Sequence, residues 1–129
     1  MSPWTDMTAS GPSYDDNYEK DPLFGKTRDS LIYSTDYRQD HDPKNPYLSP
    51  LFGDFTGFPP MLIQVGTHEM LYDDAASVAK KAKEQGVPVR FTVYEGMFHV
   101  FQMSGTVIPE SKRAWEEVGT FMHKVMGQW

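Results

Sequence analysis

Met61-Leu62-Ile63-Gln64-Val65-Gly66 and Val89-Arg90-Phe91-Thr92-Val93-Tyr94 are the two stretches that decide the fold. The first is apolar throughout except for Gln64, which suits a strand covered on both faces. Between the two runs, Leu71, Ala75, Val78, Ala79 and Ala82 recur at helical spacing, so an amphipathic helix is expected to end at Gly86. Pro88 then leads into the second strand. Pro109 opens a last helix, expected to run to about Met126 with Trp115, Val118, Met122 and Val125 on its inner face. Strand–helix–strand–helix with one helix between the strands is a right-handed βαβ unit, and it implies α/β class and a parallel sheet.

Two strands do not make a viable sheet. A pair apolar on both faces leaves unpaired edges and an unfilled core. Further strands are therefore expected from another copy of the chain, a separate partner or an upstream region.

Residues 1–60 read differently. Trp4, Met7, Tyr14, Tyr18, Leu23 and Phe24 are too many large apolar groups for a disordered tail, so this loop-rich stretch is expected to lie against something. A short helix is expected near Thr27 as cap, with Leu31, Ile32 and Tyr37 buried. Asp42-Pro43, Asn45-Pro46, Ser49-Pro50 and Pro59-Pro60 then keep the chain out of helix.

Composition excludes several function classes. The 129 residues suffice for one domain, with 39% hydrophobic content and no apolar run long enough to span a membrane. A formal net charge of −6 argues against nucleic acid or an anionic membrane as partner. Lys80, Lys81 and Lys83 fall on one helix with Asp73, Asp74 and Glu84, a solvated face. The absence of cysteine removes disulfides, thiolate metal sites and a cysteine nucleophile, and fits a reducing compartment such as the cytoplasm.

Each strand runs into a group of catalytic type. Thr67-His68-Glu69 follows the first and Glu95-Gly96-Met97-Phe98-His99 the second, and ligands of open parallel sheets sit beyond the carboxyl ends of the strands. On adjacent strands Glu69 would accept the Nδ1 proton of His99 and fix its tautomer. A glycine before each loop lets the backbone turn sharply. Asp73, Asp74 or a structural Glu69 are the alternatives for the acid, and a loop-filling histidine is the plain alternative for His99. His41, His68 and His123 have no metal-ligand spacing, and no metal or cofactor is expected. Phe98 and Val100 are candidates for an acyl pocket wall, with packing the competing reading; Phe101 stands on the same footing.

The segment from Pro59 to Ala75, with Gly66-Thr67-His68-Glu69-Met70-Leu71 at its centre, resembles the acid segment of the bacterial hormone-sensitive-lipase family of α/β-hydrolase esterases. Tyr94-Glu95-Gly96-Met97-Phe98-His99-Val100-Phe101 resembles that family's histidine segment. Ser2-Pro3-Trp4-Thr5-Asp6-Met7-Thr8 is similar to its loop after the sixth strand, and Asn45-Pro46-Tyr47-Leu48-Ser49-Pro50-Leu51 to its pre-acid loop. Glu69 stands where the family usually has Asp. The resemblance implies that residues 1–129 are the C-terminal part of one α/β-hydrolase domain, loop-rich over 1–60 and β-α-β-α over 61–129. It also implies hydrolysis of small acyl esters by a serine, with Glu69 and His99 as acid and base.

That family's nucleophile sits in Gly-x-Ser-x-Gly, and part of its oxyanion hole in a His-Gly-Gly-Gly loop. Neither motif occurs among these residues; Gly11-Pro12-Ser13-Tyr14-Asp15 comes nearest and lacks the second glycine. An acid–histidine pair alone would assist water attack by about 10²–10⁴. Two expectations follow. The chain completes an esterase site with an N-terminal fragment or a longer parent, or it is a truncated hydrolase that self-associates and catalyses nothing. The second is preferred for the isolated chain.

Overall fold

The computed structural model describes residues 1–31 and 36–127, the side chain of Leu31 excepted. Its elements in chain order are α1 (Ser13–Asp16), α2 (Arg28–Leu31), β1 (Met61–Gly66), α3 (Tyr72–Glu84), β2 (Val89–Tyr94) and α4 (Pro109–Met126), with single 3-10 turns at Gly25–Thr27, Pro50–Phe52 and Phe101–Ser104.

β1 and β2 pair in parallel, Met61 opposite Val89 through Gly66 opposite Tyr94. Alternate side chains leave opposite faces of a strand. On one face Ile63 and Val65 meet Ala75, Val78, Ala79 and Ala82 of α3, and Phe55 and Val87 complete this core. Small residues along α3 let it approach the sheet closely, and Gly86, with φ of 82°, ends it. On the other face Gln64 is fully buried beneath α4, where its Nε2 donates to the Ala114 carbonyl at 2.9 Å and to Glu117 Oε2 at 2.8 Å. The one polar residue of β1 is thus a polar tether to a helix.

α4 sits differently from the expectation. Ser111 and Ala114 are its buried residues, whereas Trp115, Met122 and Val125 are 50%, 40% and 39% exposed and Val118 is half-buried. The hydrogen bonds explain the rotation. Ser111 Oγ and Trp115 Nε1 both donate to the Gln102 carbonyl at 2.9 Å, and the two small residues let α4 close onto the Phe101–Ser104 turn. Glu117 then accepts from Arg90 Nε, Thr92 Oγ1 and Tyr94 OH at 2.5, 2.6 and 3.0 Å. An apolar stripe set the expected inner face; polar anchors to β2 set the observed one.

The loop-rich first part lies against the α3 end of the sheet. Tyr14 is buried against Met70 and Leu71 with Phe24 and Ala9 around it, while Trp4 and Leu23 stay exposed. Asp74 ties this segment down: its Oδ2 accepts the Thr5 and Asp6 N–H groups at 2.8 and 2.9 Å, and its Oδ1 the Tyr14 hydroxyl at 3.0 Å. Thr27 ends the Gly25–Thr27 turn just before α2, and its hydroxyl donates backwards to the Leu23 carbonyl at 3.2 Å. Tyr37 is exposed, not buried, and Ile32 and the Leu31 side chain lie outside the described residues.

Candidate active site

The two loops that leave the strands are bound to each other. Thr67 N–H donates to the Tyr94 carbonyl at 3.1 Å and His68 N–H to the Met97 carbonyl at 3.0 Å. Thr67 Oγ1 accepts the Gly96 N–H at 2.8 Å. The two glycines serve different ends. Gly96 has φ of 73° and makes the turn, whereas a Cβ on Gly66 would fall on the Met97 carbonyl. Gly66 is needed because a second backbone passes over it.

That close approach brings Glu69 and His99 together. Glu69 Oε1 lies 3.2 Å from His99 Nδ1, and the Glu69 side chain is fully buried while that of His99 is 17% exposed. A carboxyl facing Nδ1 selects the tautomer with its proton there and leaves Nε2 as the basic nitrogen. The Phe24 ring packs on the imidazole, centroids 4.6 Å apart.

The second carboxyl oxygen and the carbonyl of this acid are also held. Oε2 accepts the Gly66 N–H and the Ser2 hydroxyl, the latter at 3.0 Å. Asn17 Nδ2 donates to the Glu69 carbonyl at 2.8 Å, and Asp21 Oδ2 accepts the next N–H, that of Met70, at 2.9 Å. Asp21 Oδ1 in turn accepts the Leu23 and Phe24 N–H groups, both at 2.9 Å, which sets the ring that meets His99.

Asp73 and Asp74 are engaged elsewhere. Asp73 Oδ2 accepts the Ser13 N–H at 2.6 Å. Burial pushes Asp74 up to about 6, against the pull of its Thr5, Asp6 and Tyr14 donors. His68 lies beside the acid, half-buried, and His41 and His123 are exposed. Phe98 packs with Met97 against Tyr94, Phe101 and Ala114. Val100 is left-handed, with φ of 48°, a strained conformation for a β-branched residue. Among the described residues no group of three His, Asp or Glu could hold a metal ion. Among them, too, no helix is long and apolar enough to cross a membrane.

Sequence reasoning missed Ser2, Asn17, Asp21 and Phe24 as partners of this pair. A polar residue in a loop carries no signal of which distant atom it will meet.

Residues 1–103 match the family model for the alpha/beta hydrolase fold. The chain belongs to that family. It is 38% identical over 128 residues to an acetyl-hydrolase of Streptomyces hygroscopicus, covering 99% of this chain and 42% of the relative. It is 36% identical over 121 residues to an esterase of Acinetobacter venetianus, covering 94% and 40%. Among solved structures, an esterase from the bacterial hormone-sensitive lipase family superposes with a TM-score of 0.91 at 39% identity, covering 98% of this chain and 42% of that one. An esterase/lipase from an uncultured bacterium gives 0.87 at 36% identity, covering 98% and 42%. The chain therefore spans about 42% of the length of these hydrolases and corresponds to their C-terminal part.

Proposed function

We propose that this chain carries the acid–histidine half of a serine carboxylesterase site. Glu69 orients His99, and Nε2 of His99 takes the proton of a serine hydroxyl during acylation and of water during deacylation. The substrate is a small acyl ester, in keeping with relatives described as an acetyl-hydrolase and an esterase. The carrying observation is the 3.2 Å contact from a fully buried Glu69 carboxyl to His99 Nδ1. The serine would come from a complementing N-terminal fragment or a longer parent chain. Phe98 and Val100, which flank His99 in sequence, would border the acyl group. The mechanism needs no metal or cofactor, and a cysteine-free chain suits the cytoplasm.

Turnover of p-nitrophenyl acetate, read alongside fluorophosphonate labelling, tests this. The chain alone should take no label. Paired with an N-terminal fragment bearing Gly-x-Ser-x-Gly, it should give a labelled serine and turnover. Glu69→Gln and His99→Ala should each cut that turnover by roughly 10³–10⁴. Turnover indifferent to both substitutions would sink the reading.

One observation favours a second reading, a non-catalytic chain that self-associates. Trp115, Met122, Val125 and Met126 leave an apolar strip exposed on α4, and Val93 is exposed on β2. Sedimentation of the isolated chain above monomer mass, reduced by Val125→Asp, with no probe label, supports it.

A further inference from the structure

We infer that Ser2 is a positioning residue, which holds the second oxygen of Glu69 and the backbone of the histidine turn in one arrangement. The inference rests on reading Glu69 and His99 as an acid–base pair and extends it to a residue outside both loops.

A carboxyl can aim one oxygen at an imidazole only if the other is fixed, because its terminal torsion is broad and almost two-fold. Oε1 faces His99, so the orientation depends on what holds Oε2. Gly66 N–H is one donor, but it belongs to the same strand end as the acid. The Ser2 hydroxyl is the other, at 3.0 Å, and it arrives from a separate segment. The same oxygen accepts the Val100 N–H at 3.3 Å, one residue beyond His99. One hydroxyl thus joins the acid's side chain to the backbone that carries the base.

The reach of that hydroxyl is itself constrained. Ser2 N–H donates to the Gln64 carbonyl at 2.8 Å, which fixes the residue against β1. Ser2 is only 3% exposed, so water does not compete readily for the hydroxyl. Its φ of 41° is left-handed, a conformation glycine would adopt at lower cost. A residue chosen only for the bend would therefore be glycine. The hydroxyl is the reason for a serine.

The test is nitrogen-15 NMR of the histidine rings in the full 129-residue chain, with His99 assigned from the signals lost in His99→Gln. In the parent chain His99 should appear as a single Nδ1–H tautomer with a slowly exchanging Nδ1 proton. Glu69→Gln should change both features. Ser2→Gly, which keeps the backbone conformation accessible and removes the hydroxymethyl group, should give mixed tautomers and loss of that proton signal, with the amide signals of Met61, Leu62 and Ile63 and of α3 unmoved. A Ser2→Gly ring spectrum matching the parent, while Glu69→Gln alters it, overturns the role of Ser2 and leaves the acid–base pair standing. A His99 spectrum indifferent to Glu69→Gln, including that of a chain that does not fold, overturns the pair and this inference with it.

Discussion

Gly66 shows how much a single residue can owe to a segment distant in sequence. Read in the chain, the glycine at the end of β1 marks a turn, and that reading fits Gly96, whose φ is positive. At Gly66 the cause is the Met97 carbonyl lying where a Cβ would go. Since the obstacle is backbone, no rotamer change relieves it. Gly66→Ala should therefore cost about 1–3 kcal/mol, the usual range for overpacking, and should weaken the Glu69–His99 contact. The urea midpoint and the His99 ring signals would both report it. Gly96→Ala meets open space and should carry only the left-handed penalty, about 1–2 kcal/mol. The positions of Glu69 and His99 were readable because each follows a glycine at or just past a strand end, Gly66 and Gly96, by three residues, and strands of a parallel pair end together. Ser2 was not, because its partners lie 67 and 98 residues away. A Ser-Pro dipeptide looks like any other start of a loop.

The elements divide according to what covers them. α3 could be placed residue by residue: Leu71, Ala75, Val78, Ala79 and Ala82 are all buried as their spacing requires. Its partners, the inner side chains of β1, lie just before it in the chain, so hydrophobic period alone settles its rotation. α4 could be recognised but not rotated. Its most apolar stripe is left exposed; Ala114 and Glu117 meet the sheet, and Ser111 meets the Phe101–Ser104 turn. A polar anchor carries no periodic signature, so the stripe misleads. Two substitutions separate the alternatives. Ala114→Leu fills a fully buried site and should destabilise by about 1–3 kcal/mol. Met122→Ala, on the exposed strip, should stay within about 0.5 kcal/mol in the monomer. The reverse order of urea midpoints would restore the stripe as the inner face.

At the scale of the whole molecule, helices cover both faces of a sheet that has two strands among the described residues. The short β-α-β-α unit was readable in sequence because its strands and helices carry periodic apolar patterns, and a parallel pair requires a crossover between its strands. How the loop-rich first part attaches was not, because polar tethers and isolated apolar contacts such as Tyr14 on Met70 and Leu71 hold it, and neither carries a periodic pattern. Asp74 is the centre of those tethers, and it makes the stability of the chain depend on acidity in a specific way. Its pKa rises on folding from the ordinary 3.8 to about 6, because burial outweighs the donors around it. The folded chain therefore binds this proton more tightly than the unfolded chain, and stability from Asp74 declines as pH climbs from about 4 to about 6. Linkage sets the size at about 2–3 kcal/mol, from 1.36 kcal/mol per unit. Glu117 and Asp6 act in the opposite sense. Burial would raise each, but donated hydrogen bonds hold both below their ordinary values, from Thr92, Gln64, Arg90 and Tyr94 on Glu117 and from Ser10 and Thr8 on Asp6. Their contribution is complete above the unfolded values of 4.5 and 3.8 and fails as pH falls through the lowered ones. The two windows barely overlap. Urea stability should rise with pH in the acid range, crest between about 4 and 5, and fall toward 6. Asp74→Asn removes the titrating group and should flatten the falling limb alone, while Glu117→Gln should flatten the rising one. A falling limb that persists in Asp74→Asn would mean that a group other than this carboxyl titrates over that range.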